Sequence, residues 1–393
     1  MAEVLLSPGV LASENDNTFI SEQPVQAGAA ILGPTVKGPV GIPTIVTSFS
    51  DYKNKFGCIV ESGSAEYTYF TSISAYNYFQ QGGDTLLVTR VVNGSYTPAT
   101  SSAMSGSNGN NSLVLETLSE GEIANSEGPT GSNGTLDSGS RDNLRWEVVS
   151  SNTTNGTFGL LIRRGDDTTT QKTILETWTN LSLDPNSSNY IEKVIGNTVQ
   201  TVTSDDGEFY VENTGTYNTV SRYVRVKSVD QPTLNYLDNA GVAKTQFTGS
   251  IPVNGEGVFG GATGAIAAGA TFYENIGAST QGLTAGDYSD SINLLANKDQ
   301  YRYNLIVAPG LTKESHSSPI SSLIDNAEQR GDNLALVDLR NWGSTIGQVT
   351  DAAASIDSSY AATYWPWVQT IDPDLGSKVW VPASTMLPGV YAF

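Results

Sequence analysis

The chain has 393 residues, with 40 acidic and 20 basic side chains and a formal net charge of −20. A nucleic-acid backbone needs basic patches, so direct contact with DNA or RNA is not expected. One cysteine, Cys58, and one histidine, His316, exclude an intrachain disulfide framework and the usual zinc-ligand sets.

The N-terminus, Met1-Ala2-Glu3-Val4, has neither the basic stretch nor the long apolar run of a secretory signal. No run of about 18 apolar residues suggests a membrane span. Synthesis in a cytoplasm is therefore expected, without membrane insertion. Gly is abundant, and Ser, Thr and Asn accompany it. That is the composition of a loop-rich β protein more than of a compact helical enzyme.

Residues 1–22 read as an arm. Val4-Leu5-Leu6 is too short to make a core, and Ser7-Pro8-Gly9-Val10 is a turn. Such a strand needs a sheet edge to pair with, its own or a neighbour's.

Residues 23–93 read as an α/β unit. Ala27 to Leu32 is a strand of small residues. Ile42 to Val46 contains Pro43 and belongs at an edge. Asp51 to Phe56 is a short helix ended by Gly57. Ser64, with Glu66 in the first turn, is placed to cap a longer helix carrying Tyr69, Ile73 and Tyr76 on one face. Thr85 to Val92 is a strand.

Residues 94–285 change character and read as a β-rich region inserted between two α/β units. Up to about residue 143, only Leu113-Val114-Leu115 promises order. Leu144 to Val149 and Phe158 to Arg163 read as paired strands around Asn152 to Gly156. Thr173 to Leu183 is amphipathic, Tyr190 to Ile195 is a short apolar segment, and Glu208 to Val211 and Ser221 to Val229 are strands.

Residues 286–378 alternate helices with apolar strands, the pattern of a parallel sheet covered by helices. Asp287 to Ala296 is helical. Tyr303 to Ala308 is a strand stopped by Pro309-Gly310. Pro319 to Arg330 is amphipathic, with Ile320, Leu323, Ile324 and Ala327 on one face. Leu334 to Leu339 is a strand, Ile346 to Ile356 a helix, and Tyr360 to Val368 the last strand. Residues 379–393 begin a C-terminal segment. The fold class expected is α/β, or mixed α+β, with a β-rich insertion and an extended arm.

Candidate chemistry is sparse. Gly255-Glu256-Gly257-Val258-Phe259-Gly260 matches G-x-G-x-x-G, but Pro252 interrupts the preceding segment and no helix start follows. A flexible loop is expected there. His316 follows the Pro309-Gly310 turn at a strand's carboxyl end, where α/β enzymes place chemistry, yet no G-x-S-x-G accompanies it. It reads as a surface-loop histidine. Cys58 has no neighbouring base and reads as inert. Arg164-Gly165-Asp166 reads as a plain turn, and the acid pairs Asp166-Asp167 and Asp205-Asp206 as solvated turns. The sequons at Asn93 and Asn155 carry no meaning without a secretory route. No catalytic residue, metal ligand or cofactor site is assigned.

Several segments together resemble the tail sheath protein of contractile-tailed phages and related injection systems. Leu5-Leu6-Ser7-Pro8-Gly9-Val10 is similar to that family's N-terminal arm motif. Lys37-Gly38-Pro39 through Val46, then Ser48 to Phe56-Gly57, resembles a second signature. Ala75 to Gly83 with Leu87 to Val91, Asn180 to Ile195, Tyr303 to Gly310, Tyr360 to Trp367 and Val379 to Ala383 resemble others in the same order.

The resemblance implies a structural subunit, not an enzyme, which polymerises helically around a tail tube. Its contraction would drive that tube through a host envelope. The implied partners are identical copies, the tube protein, and baseplate and tail terminator proteins. The implied location is the virion. Val4, Leu5, Leu6, Pro8, Gly9 and Val10 are then the inter-subunit arm, and residues 94–143 an outward decoration. Subunits of that family usually continue past the segment resembling Pro388 to Phe393, so a fragment or one half of a split subunit is expected. Two competing readings are an acidic adhesin-like surface protein, which needs a secretion signal, and an α/β enzyme at the 310–318 loop, which needs a titratable partner.

Overall fold

The computed structural model describes residues 25–393 apart from residue 268. The arm residues Val4, Leu5, Leu6, Pro8, Gly9 and Val10 lie outside the described residues. The fold is mixed α+β and is built on two large sheets.

The chain enters on β1 (Val25–Gly33) and passes to β2 (Thr44–Val46) and α1 (Phe49–Phe56). The Ser48 hydroxyl accepts from the Asp51 N–H, and Gly57 ends α1 at φ +71°, a left-handed value that glycine supplies without strain. The expected helix at Ser64 is not there. Residues 59–68 form a hairpin, β3 (Ile59–Ser62) and β4 (Ala65–Thr68), and α2 (Phe70–Gln80) begins after it. Alternation around Val60 and Tyr67, with Gly63 at φ +67° as the turn, outweighs the capping signal. Strand β5 (Leu86–Arg90) follows.

Next come β6 (Pro98–Ser101), β7 (Met104–Ser105), β8 (Asn111–Glu120), β9 (Leu144–Asn152), β10 (Thr157–Arg164) and β11 (Ile174–Ser182). The 94–143 stretch is thus more ordered than its composition suggests, and the amphipathic 173–183 run is a strand. The short apolar segment is helix α3 (Ile191–Ile195). A separate hairpin, β12 (Val199–Asp205) and β13 (Glu208–Thr214), precedes β14 (Val224–Val229) and the short α4 (Thr245–Thr248).

The glycine-rich 255–260 segment is strand β15 (Gly255–Gly260), not a loop. It pairs with β9 on one side and β6 on the other, joining two groups of strands into one antiparallel sheet. The order is β11-β10-β9-β15-β6-β8-β14, with β7 beside β8. Its inward residues, among them Leu115, Trp146, Leu160, Val224 and Phe259, share one core with Ile191 and Ile195 of α3. The Glu176 carboxylate in β11 accepts from Ser221 Oγ at 2.6 Å and the Arg222 N–H at 2.8 Å, tying that edge strand to the residues before β14.

The chain then makes a small hairpin, β16 (Ser279–Thr280) and β17 (Leu283–Thr284), then α5 (Ser289–Leu295), β18 (Tyr301–Thr312), α6 (Ser317–Arg330) and β19 (Leu334–Asp338). It finishes with α7 (Ile346–Ala353), β20 (Ala361–Thr363), β21 (Val368–Ile371), β22 (Lys378–Val381) and α8 (Ala383–Ala392). Strand β18 runs through Pro309-Gly310 instead of stopping there. Gly310 sits at φ +93°, and the register against β19 shifts between Val307 and Thr312, so the strand bulges and continues. The expected single strand 360–368 is split, because β20 pairs with β19 whereas β21 pairs with β22.

The first and last segments meet in a six-stranded sheet of order β2-β5-β1-β18-β19-β20, parallel except for β2. Successive residues of each central strand face opposite layers. Ala29, Ile31, Leu86, Val88, Leu305, Val307 and Leu336 pack with Tyr52 and Phe56 of α1 and Ala75 and Tyr78 of α2. Ala30, Leu32, Leu87, Ile306, Ala308 and Ala335 pack with Ile292 of α5 and Ile320, Leu323 and Ala327 of α6. Burial on both faces explains why the centres of these strands read as near-continuous apolar runs.

A filled crevice at the strand switch point

In an open parallel sheet, ligands bind outside the carboxyl ends of the strands, where the winding reverses direction. Here β1 leads to β5 on one side, while β18 on its other side leads to β19 and β20. The switch point therefore lies beyond Gly33 and along 308–312. It is occupied by the protein itself. The β16–β17 hairpin places Thr280 and Gln281 there, both at most 1% exposed. Gln281 Oε1 accepts from the Phe70 N–H at 3.1 Å, and Thr280 Oγ1 donates to Gly310 O at 3.2 Å. A Cβ at Gly310 would lie 2.7 Å from the Phe70 ring and 2.8 Å from the Thr280 methyl group. No room remains between them.

His316, expected on the surface, is fully buried at this point. Its neighbours Lys313, Glu314 and Ser315 give the segment its polar look, whereas the covering comes from a hairpin more than thirty residues away. Nδ1 accepts from the Thr312 N–H at 3.3 Å, which assigns the proton to Nε2, 3.2 Å from Thr280 Oγ1. Burial holds the imidazole below its ordinary value, so it is neutral. A neutral histidine with both nitrogens engaged by its own fold has no atom left for a substrate.

Beside it, at the end of β19, Asp338 is buried and bonded to the Ser384 N–H at 3.2 Å and to the Ser384 hydroxyl. Burial pushes its carboxyl up to about 7. Serine, histidine and aspartate thus lie near one another, but not as a relay. The serine bonds the aspartate directly, and the histidine bonds two threonines. A nucleophile needs a base within hydrogen-bond reach and space for the attacked atom, and neither condition is met.

The other candidates are structural too. Cys58 is buried, and burial together with Asp374 raises its thiol, the opposite of activation. Gly257 lies against Trp146, where a Cβ would come within 2.4 Å of the indole. Glu256 bonds Arg163 at 2.6 Å. These residues close a sheet rather than cradle a phosphate. Asp166 pairs with Arg164 at 2.5 Å in a turn, but its neighbour Asp167 is buried rather than solvated. Arg163 grips Asp167 through Nε and Nη2 at 2.8 Å each, and Arg145 reaches the same carboxylate at 3.3 Å. Among the described residues no group of three His, Cys, Asp or Glu side chains is placed to hold a metal ion, and no helix is long and apolar enough to cross a membrane.

Cavities lie between the two sheets instead. One of about 510 Å³ is bordered by Lys37, Lys55, Glu120, Arg222 and Arg225. Beside it Arg90, 3% exposed, donates from Nη1 to Gly38 O at 2.7 Å and Glu120 O at 2.8 Å. It joins the six-stranded sheet to strand β8. The β12–β13 hairpin makes a second join, laying Val202, Phe209 and Val211 against the layer of α5.

Around β20 the surface is unusually apolar. Trp342, Ile346, Tyr364, Trp365, Ile371, Tyr391 and Phe393 are all exposed, and α7 buries no residue. The helix expected at 346–356 is present as α7, with Val349, Ala352 and Ala353 half-buried and none fully buried.

No family model matches this sequence, and no curated protein matches it. Among solved structures the chain is similar to a sheath tail protein from Listeria innocua, with a TM-score of 0.46 and 9% identity over 94% of this chain and 56% of that one. It is also similar to a sheath tail protein from Desulfitobacterium hafniense, with a TM-score of 0.38 and 11% identity over 98% of this chain and 61% of that one. The chain spans less than two thirds of the length of either.

Proposed function

We propose that this chain is the body of a tail sheath subunit, a structural protein that polymerises head to tail around a tube and contracts. The supporting observation is where the sheath-like segments fall. Apart from Asn180 to Ile195, at β11 and α3, and the arm motif, they converge on one body. They supply β2 and α1, α2 and β5, β18, β20 and β22, across more than 200 residues of intervening chain. That body has its crevice filled and its outer strand β20 bordered by exposed aromatic residues, an arrangement suited to contacts with neighbours rather than to turnover. Heterologous contacts that do not close generate helical arrays.

In this reading residues 1–22 carry an inter-subunit arm, with Val4, Leu5, Leu6, Pro8, Gly9 and Val10 pairing on a neighbour's sheet edge. The β-rich region, residues 94–285, faces outward. The partners are identical copies, a tube protein, and baseplate and terminator proteins, and the assembled protein belongs to a virion. The test is electron microscopy of the full-length protein, alone and with its tube protein, beside a variant lacking residues 1–13. Striated tubes from the parent, and folded monomers or short unlinked oligomers from the deletion, are expected. Persistent monomers of the parent under all conditions overturn the sheath reading, and normal tubes from the deletion overturn the role of the arm.

A further inference from the structure

Helix α8 carries a defect in its own ladder. Pro388 has no N–H to give to the carbonyl four residues earlier, which is that of Ser384. Ser384 lies in the helix's first turn, where N–H groups also lack intrahelical acceptors. Asp338 meets the helix at this residue, taking the Ser384 N–H at 3.2 Å on Oδ1 and the hydroxyl on Oδ2. The weakest turn of α8 is therefore held from outside, by one carboxyl group at the end of β19. Farther along, Gly389 lets the helix approach α2 so closely that a Cβ would lie 2.7 Å from Asn77 O. Val390 and Tyr391, and Phe393 just past the helix, are exposed.

Among the described residues no charge compensates Asp338. From β18 it faces Thr312, and the Lys313 N–H bonds its main-chain oxygen; from β20 the sheet continues through Thr363, opposite Val337. Helix α8 offers only Ser384. Arg340, two residues on, is taken by Glu314 at 3.3 Å and by Gln348 O. His316, at the start of α6, is neutral and bonded to the two threonines. Among the described residues no cation lies within ion-pair distance of Asp338.

We propose that Asp338 and Ser384 form a proton-dependent latch, in which α8 is docked while the Asp338 carboxyl is protonated and loosens as that proton is lost. The inference stands apart from the sheath reading and needs only the described fold. Undocking returns the carboxyl to water, where its ordinary value is 3.8, whereas docked it titrates at about 7. The docked form binds the proton more tightly, so docking weakens about tenfold per pH unit between those values and is level above about 7.

Hydrogen exchange of the full chain, read by mass spectrometry on residues 383–392 and corrected for intrinsic rates, tests this. Protection of α8 is expected to fall about 50-fold from pH 5 to pH 7 and to level by about pH 8. Asp338→Asn keeps an acceptor for the Ser384 N–H and a donor for its hydroxyl oxygen without titrating, and its α8 protection is expected to be flat. Constant protection in the parent, or an equal slope in Asp338→Asn, overturns the latch. If Asp338→Asn does not fold, Ser384→Ala serves instead. It removes one donor to the ionised form, so the levelling pH is expected to rise, and an unchanged levelling pH overturns the proposal.

Discussion

Replacing Arg163 by Ala tests whether the second sheet depends on charge placed inside it. Arg163 is fully buried. Its guanidinium donates to Asp167 Oδ2 and Oδ1 at 2.8 Å each, to Glu147 at 2.8 Å, to Glu256 at 2.6 Å and to Thr168 O at 3.2 Å. Removing one partner of a buried pair costs about 3–5 kcal/mol, because the charge left behind has lost both water and partner. Three carboxylates would be left here, but none wholly alone. Asp167 keeps Arg145 at 3.3 Å and the Thr173 N–H, Glu147 keeps Lys172 at 2.7 Å, and Glu256 keeps Arg145 at 3.3 Å. That remainder places the loss near the low end, about 3 kcal/mol. Urea denaturation followed by circular dichroism and tryptophan fluorescence measures it. Glu147→Gln, at the wetter end of the network, is expected to cost about 1 kcal/mol. Arg163→Met fills the volume without the charge and is expected to lose nearly as much as Arg163→Ala. A loss below about 1 kcal/mol for Arg163→Ala, or full recovery in Arg163→Met, refutes the charge argument.

His316→Gln separates burial from catalysis. The folded imidazole titrates below its ordinary value of 6.5, so its contribution is present above 6.5 and is lost as pH falls from there toward the depressed folded value. Parent stability relative to His316→Gln is therefore expected to shrink by up to about 1.4 kcal/mol per pH unit below 6.5, measured by denaturation at pH 7.5 and 5.5. A constant difference would mean that the ring is already solvated. Gly257→Val puts a branched side chain where Trp146 lies 2.4 Å from a would-be Cβ, and is expected to cost about 2–3 kcal/mol and to raise exchange in β15 and β9. Unchanged protection there would refute the account of β15 as the strand that joins the sheet.

The parallel core was legible because its signal is local. Ala27 to Leu32 is made of small and apolar residues, and Tyr303 to Ala308 and Leu334 to Leu339 are apolar but for Asn304 and Asp338, the near-continuous pattern of strands buried on both faces. Helix α6 was legible for the same reason, from Ile320, Leu323, Ile324 and Ala327 at helical spacing. What failed was set by distant partners. Strand β15 has three glycines and a glutamate, and becomes a strand only because Arg163 and Trp146, about a hundred residues earlier, receive its charge and its bare backbone. His316 sits in the polar run Lys313 to Ser318, and nothing near it announces the hairpin that buries it. Asp167 looked like half of a solvated acid pair because its two arginines are strand residues pointing inward. The arm named from the sequence lies outside the described residues and stays a proposal.

How the two sheets are joined bears on what the body can do. Among the described residues the main chain passes from one sheet to the other around 91–97 and after β15, and unlike braces supplement those crossings. Arg90 is nearly inflexible. Its charge is buried without a carboxylate bonded to it, and both Nη1 bonds go to backbone oxygens, one at Gly38 and one at Glu120. Gly38 belongs to the β1–β2 connection of the same sheet, so sliding one sheet past the other breaks the bond to Glu120 O and leaves a buried cation less well satisfied, which makes displacement at this point costly. The β12–β13 hairpin is a softer brace. Val202, Phe209 and Val211 touch the α5 layer while still partly exposed, and apolar contacts of that kind tolerate sliding. The 510 Å³ space lies between the braces, bordered by Lys37 and Lys55 on one side and Thr198 and Asn213 on the other. The Gly38 N–H to Ser119 Oγ at 3.0 Å, the Val40 N–H to Glu120 Oε2 at 3.1 Å and the Lys37–Asp142 ion pair at 2.9 Å reinforce the same seam, so the joint is held by polar bonds beside Arg90 and by apolar contact at the hairpin.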